Sequence, residues 1–246
     1  MSVKLTWFGH ACFLIETAGK KILVDPFLDD SPVAPVKSKD VSADIILITH
    51  GHYDHIADAV KIANRTGAVC VSNFEICEWL AKQGVKHTDP MNTGGTISLA
   101  VGQVKSTIAF HSSTLPDGAP GGNPSGFLLT LPDATIYIAG DTALFSDMKL
   151  YAAGLDLAIV PIGDRYTMGP GDSIEAIRML NPKRVAPCHY STWPPIAQDA
   201  DAWASRVNKE TSAEAIVVQP GESFAVSRAE TPKASYPTAS NEYTNR

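Results

Sequence analysis

Residues 43–55 read Ala43-Asp44-Ile45-Ile46-Leu47-Ile48-Thr49-His50-Gly51-His52-Tyr53-Asp54-His55. The first seven form an apolar run of strand length, the pattern of a central strand covered on both faces. The run stops at a polar cluster in which three histidines and one aspartate fall within six residues. From Asp54 the spacing of Ile56, Val60 and Ala63 predicts a helix that ends at Gly67. The cluster therefore sits on a strand-to-helix turn. Imidazole nitrogen and carboxylate oxygen suit zinc and its neighbours, and the lack of a nearby cysteine argues against an iron–sulfur or thiolate site. Such a turn lets His50 and His52 converge on one metal while Asp54 and His55 lean towards another.

Outward from this segment the chain reads as short strands, grouped in two blocks that each carry some helix. Lys4–Phe8, Cys12–Glu16 and Lys21–Val24 precede it, separated by glycine turns. A strand over 68–71 and a helix over 74–82 follow. Strands are then expected over 96–100, 104–110, 125–131, 135–139 and 155–162. Asp172, with Glu175 three residues on, resembles a capping box at the start of a helix that Asn181-Pro182 ends. A strand over 184–187 leads to Cys188-His189. A helix from about Ala197 carries Ala200, Trp203 and Val207 on one face, and 216–219 and 223–226 close the fold. This order is not a regular βαβ alternation. Two packed sheets with helices outside fit it better than a doubly wound parallel sheet. No internal repeat is visible, and residues 227–246 change to a polar composition, so the expected division is a domain over 1–226 and a tail over 227–246.

Composition narrows the function. The chain has 246 residues, 44% of them hydrophobic, and a net charge of −6 from 20 basic and 26 acidic side chains. One globular domain with a substantial core is within reach, and a basic face for gripping a nucleic-acid backbone is not expected. No apolar stretch has membrane-spanning length, and the first residues do not form a secretory signal. The four cysteines have no metal-site spacing and read as buried thiols in a reducing compartment. A cytoplasmic protein with a small-molecule substrate, no membrane partner and room for a homo-oligomer is the expectation.

More ligand-type residues recur in the same context, just past strand ends. His111 follows the 104–110 strand, His189 follows the 184–187 strand, and Asp141 follows the 135–139 strand with two oxygens able to bridge ions. Together these strand-end clusters suit a dinuclear site on one edge of a two-sheet sandwich.

His50-Gly51-His52-Tyr53-Asp54-His55, with His111, Asp141 and His189 in that order, resembles the metallo-β-lactamase superfamily over residues 1 to about 226. Trp7-Phe8-Gly9-His10-Ala11, Leu23-Val24-Asp25-Pro26, the segment Pro161 to Pro170, and Cys188-His189-Tyr190 are similar to its branch of uncharacterised metal-dependent hydrolases. That branch is itself similar to ascorbate-6-phosphate lactonase. The resemblance implies an α/β (α+β) fold, a four-layer αββα sandwich of two mixed sheets with helices outside. It implies one divalent ion held by His50, His52 and His111, and a second by Asp54, His55 and His189, with Asp141 bridging. Zinc is the expected metal and manganese the alternative.

Asp25 resembles the aspartate that orients a ligand histidine through its free N–H. His10 is a candidate for holding substrate or a bound water, or else a turn histidine. Arg165 and Tyr166 could border the pocket, whereas His87 reads as exposed. Activated water attacking a carbonyl or phosphoryl centre, with Asp54 orienting it and passing on its proton, gives a hydrolase for a small ester, lactone or amide, phosphorylated or not. A phosphodiesterase or nuclease, a redox di-iron protein and a non-catalytic metal binder are the alternatives. The first lacks a basic exosite, the second a glutamate in the first cluster and a flavin domain, and the third is disfavoured by the intact ligand set.

Overall fold

Glycine turns fold the first β-rich runs into consecutive antiparallel strands, β1 (Val3–Trp7), β2 (Phe13–Thr17) and β3 (Lys20–Val24). A computed structural model describes residues 2–228, so the tail expected over 227–246 lies outside the described residues from 229 on. Parallel to β3 run β4 (Ile45–Leu47), β5 (Val69–Ser72) and β6 (Thr88–Pro90) in turn. The second sheet starts with an antiparallel series, β7 (Thr96–Leu99), β8 (Gly102–Ile108), β9 (Ser125–Thr130) and β10 (Thr135–Ile138). It continues in parallel through β11 (Leu157–Pro161), β12 (Arg184–Cys188) and β13 (Glu214–Ala215). The chain then returns as β14 (Ser223–Val226) to pair with β1. Both seven-stranded sheets thus run three antiparallel joins and then three parallel ones. The sequence carries no matching repeat, so the likeness is one of topology.

Alternation along each strand divides the core. In the first sheet Leu5, Phe13, Ile15, Ile22, Val24, Ile45 and Leu47 face inward, packed in one cluster with Phe127, Leu129, Ile136 and Ile138 of the second sheet. Their neighbours Leu14, Leu23, Ile46 and Ile48 face outward into a second cluster. There they meet Ala59, Ile62 and Ala63 of α2 (Ala59–Thr66) and Ile76 and Leu80 of α3 (Phe74–Lys82). A period of two on a strand covered on both faces explains why β4 reads as unbroken apolar sequence. On the far side, α4 (Pro170–Leu180) and α5 (Ala200–Glu210) bury Ile174, Ile177, Trp203 and Val207 against the second sheet. The layers are helix, sheet, sheet, helix.

Several local readings change. The helix expected from Asp54 to Gly67 is two pieces, α1 (Tyr53–Ile56) and α2, with Asp58 at the break. The Asp58 carboxylate accepts from the amides of Leu28 and Asp29, and its own amide donates to the carbonyl of Pro26. These bonds tie the chain to the loop after β3 and interrupt the helix. Gly67 ends α2 in the left-handed conformation, as expected. No capping box starts α4. Gly169 is its N-cap and Pro170 fills the first position, which leaves Asp172 within the first turn. A 3-10 turn over Pro194–Ile196 delays α5, whose N-cap Asp199 accepts from the amide of Ala202. Residues 216–219 form no strand, and β6 over Thr88–Pro90 is a strand absent from the expected set.

For the site, the direction of the strands matters most. Parallel neighbours share one edge for their carboxyl ends, and ligands bind beyond such edges. Asp25 follows β3, His50 and His52 follow β4, Asp141 follows β10 and His189 follows β12.

Candidate metal centre

Each of these side chains sits on a turn that the local sequence makes tight. His10, Asp25 and His189 all have positive φ, at 52°, 43° and 53°. Such conformations cost a non-glycine residue on the order of 1 kcal/mol or more and are commonly found at functional sites. Before Asp141, Gly140 has φ +65°, and a Cβ there would lie 2.7 Å from the carbonyl oxygen of Ser125. Only glycine lets that turn pass so close to β9.

Three sets of donor atoms result, each with all its atoms within 4.8 Å of one another. The first is His50, His52 and His111. The second is Asp54, His55, His189 and, in addition, His10. The third is His50, His55 and Asp141. Asp141 Oδ2 lies 2.9 Å from His189 Nε2, 3.4 Å from His55 Nε2, 3.5 Å from His111 Nε2 and 3.9 Å from His50 Nε2. All seven residues expected as ligands are therefore brought together, with Asp141 between the two histidine groups.

Behind them runs a layer of hydrogen bonds. His55 Nδ1 lies 2.9 Å from Asp25 Oδ2, and Asp25 also accepts from the amide and hydroxyl of Thr49. The Thr49 hydroxyl lies 3.0 Å from His50 Nδ1. With the Thr49 proton on Asp25, His50 donates from Nδ1 and keeps an Nε2 lone pair facing the cluster. One aspartate thus holds two histidine rings, His55 directly and His50 through Thr49. Thr142 donates no bond to the ligands but accepts from the amide of Phe110, which links the Asp141 and His111 loops.

The charges are unbalanced in a way that suits a cation. Burial pushes the His50, His52 and His111 pKa values below the ordinary histidine value, so these rings are neutral at pH 7. Burial also opposes charge on His55, but Asp141, Asp25 and Asp54 outweigh it and hold its pKa well above the ordinary value. For Asp141 the same contest runs the other way. Burial favours the acid, while His189 and His55 prevail and keep it ionised. Asp54 is ionised too, with His55 and His10 outweighing its burial. Nε2 of His55 is buried without a hydrogen-bond partner, and so is Nδ1 of His189 on the other side of its ring. Neutral imidazoles, ionised carboxylates and an orphaned ring nitrogen together fit a divalent metal.

His10 sits on the turn after β1 with its ring directed into the cluster. It is fully buried, with Nε2 3.0 Å from Asp54 Oδ2 and Nδ1 2.8 Å from the Thr192 hydroxyl. Burial lowers its pKa to about 4, so it donates to the carboxylate as a neutral ring and accepts from Thr192. Arg165 and Tyr166 are not drawn into the cluster. Both are exposed, with the guanidinium 5.5 Å from the ring centroid, on a loop joined to the Asp141 turn by the Met168 amide, which donates a hydrogen bond to the Thr142 carbonyl. His87 is exposed and the four cysteines are buried free thiols, as expected. Thr192, Thr49 and Trp193 carry no motif that would have singled them out. Among the described residues no helix is long and apolar enough to cross a membrane.

A sandwich of two mixed sheets, with histidines and aspartates gathered where strands of both sheets end, defines the class of metallo-hydrolases built on the metallo-β-lactamase fold. This chain is 35% identical to the solved structure of Igni18, a metallo hydrolase from Ignicoccus hospitalis, with a TM-score of 0.83 over 92% of this chain and 98% of that one. The chain belongs to the β-lactamase superfamily, whose domain family matches residues 4–189. It is 46% identical over 221 residues to the UPF0173 metal-dependent hydrolase of Thermus thermophilus, covering 89% of this chain and 97% of the relative. Identity to the homonymous protein of Desulforamulus reducens is also 46%, over 226 residues, 89% of this chain and 98% of the relative. Within the superfamily, this chain stands with these metal-dependent hydrolases.

Proposed function

We propose that the centre holds two divalent ions and hydrolyses a small ester, lactone or amide. His50, His52 and His111 would hold one ion and Asp54, His55 and His189 the other, with Asp141 standing between the two groups. One observation carries this reading: a single Asp141 oxygen lies within 3.9 Å of four imidazole Nε2 atoms drawn from three separate turns. The donor set suits zinc, with manganese as the second choice. When bound, such a pair supplies Lewis-acid polarisation of the substrate oxygen and ionises water near neutral pH.

The chain's own residues do the rest. Asp25 holds the His55 ring directly and the His50 ring through Thr49, each by its Nδ1, so that Nε2 is turned towards the cluster. Asp54 is ionised, a quarter exposed and fixed by His10, so its carboxylate can orient an attacking water and take a proton from it. The likeness to ascorbate-6-phosphate lactonase rests on the sequence phrases alone. A cytoplasmic site of action fits the reduced cysteines. Metal analysis of anaerobically purified protein, followed by turnover assays on lactones, esters, amides, phosphodiesters and β-lactams, tests the reading. Two equivalents of metal with hydrolysis of a carbonyl substrate is the expected result. One equivalent, or turnover of phosphodiesters alone, would overturn it.

A further inference from the structure

The described chain exposes six large hydrophobic side chains, and four of them sit on the turns that build the metal centre or adjoin it. Tyr53, 49% exposed, stands between His52 and Asp54 in sequence. Phe110, 60% exposed, immediately precedes His111. Trp193, 37% exposed, follows His189 by four residues, and Tyr166, 55% exposed, is on the loop bonded to Thr142. Scattered exposed apolar residues need no explanation, but their concentration on the segments that build one site does.

These rings form walls on two sides of the cluster. On the Asp54 side, the Trp193 ring lies 5.1 Å from that of His10 and 5.9 Å from that of Phe27, and Phe27 in turn meets Tyr53 at 6.1 Å. On the His52 side, Phe110 packs edge-on against Phe145 at 5.3 Å. The His111 ring is 5.0 Å from that of His52, so this second wall starts directly beside the first group of ligands. A cavity of about 390 Å³ opens there. His111 forms part of its lining, along with Ile108, Phe110 and Pro124, and its polar side chains, Thr93 and Asn123, are uncharged. No Lys, Arg, Asp or Glu among the described residues lines it.

Charge completes the argument. A phosphorylated or carboxylated substrate needs a cation or a row of amide donors beside the metals to hold its anionic group. Lys61 is engaged by Asp29 and Asp58, and Lys105 reaches the carbonyl of Gly94. Arg165 lies over Tyr166. On the Asp54 side, the acceptor of the Tyr53 hydroxyl is the carboxylate of Asp30, a further negative charge.

We infer that the site selects an uncharged substrate whose acyl or leaving group is aromatic or bulky aliphatic, and that the cavity beside His111 receives this group. The inference rests on the two-ion hydrolase reading for the position of the reacting bond. Its size limit follows from the cavity, which lies near the lower end of small-molecule sites and holds one substituted ring. Phe110 is the specificity-determining side chain, because it lines that cavity and offers a ring face at low entropic cost.

The test measures binding, so it does not depend on turnover. Zinc-loaded full-length protein, with zinc content determined on the same sample, is titrated calorimetrically with acetohydroxamic acid, phenylacetohydroxamic acid, and phenylacetohydroxamic acids bearing a para carboxylate or a para phosphate. The phenyl compound should bind at least about tenfold tighter than the methyl compound, and either ring anion should cancel that gain. Phe110→Ala should reduce the phenyl-to-methyl ratio to about threefold or less. Equal affinities across the series, tightest binding by an anionic compound, or no hydroxamate binding on fully loaded protein would each overturn the inference. If the affinity order holds while no ester, lactone or amide is turned over, the hydrolytic reading fails and the assignment of the cavity beside His111 to an uncharged apolar group stands.

Discussion

Nε2 of His10, a residue on the turn after the first strand, lies 3.0 Å from the Asp54 carboxylate oxygen that faces His55 and His189. The bond is held from behind by Thr192, so the His10 ring has one available orientation. A carboxylate that must bind metal and handle a proton would otherwise rotate about its own side-chain torsions.

Replacing His10 by alanine should therefore weaken metal binding on the Asp54 side. Partners of metal ligands commonly contribute about ten- to a hundredfold in affinity. Metal content after dialysis against a graded chelator should fall from two equivalents towards one. Full retention of both equivalents would show that Asp54 needs no support from His10.

Asp25→Ala removes the shared acceptor of Thr49 and His55. Buried donors left without partners cost about 1–3 kcal/mol each. Thermal denaturation of metal-free protein should show a drop of several degrees, and metal affinity should fall as the His55 ring loses its anchor. Asp25→Asn keeps an oxygen for Thr49, so it should recover part of the melting temperature without restoring metal affinity.

His52→Ala and Asp54→Asn should differ. The first deletes a ligand nitrogen and lowers metal content and activity together. The second keeps a neutral oxygen but loses the charge that accepts a proton, so activity should fall further than occupancy. Near-normal turnover of Asp54→Asn with full metal would remove Asp54 from proton transfer.

Metal-free protein should have a bell-shaped dependence of stability on pH. His10 and His50 have folded pKa values below the unfolded value, so their contribution is present above about pH 6.5 and lost as pH falls, through about 4 for His10. His55 has the opposite sign. Its raised pKa gives stability that is full below about pH 6.5 and lost as pH rises through the folded value. Melting temperatures of chelator-treated protein from about pH 4 to about pH 10 check both limbs. Because a ligand histidine must be neutral, metal uptake at pH 7 should also release protons, with His55 the main source. Calorimetric titration in two buffers of different ionisation enthalpy measures the number.

Much of this site is legible in the sequence because metal chemistry demands particular residue types and strand ends announce themselves. His50, His52, Asp54 and His55 are adjacent, and each of His111, Asp141 and His189 directly follows an apolar run. The broken helix at Asp58 was not legible, since its amide and carboxylate partners, Pro26, Leu28 and Asp29, lie about thirty positions away in a loop without a motif of its own. Nor was the start of the fourth helix, where proline in the first turn outweighs an Asp–Glu spacing.

By itself the sequence determined the two-block order of strands, the candidate ligands and the chemical kind of centre they suit. These follow from periodicity and side-chain type, which are properties of neighbours along the chain. The tertiary structure alone decided that one oxygen of Asp141 stands among four imidazoles, that His10 turns inward to Asp54, and that Trp193 and Phe110 wall the approach. Those relations join residues dozens to nearly two hundred positions apart, and some of them, such as His10 with Thr192 and Trp193, join loops of opposite sheets. The way the two sheets pack fixes such distances, and no local pattern records it.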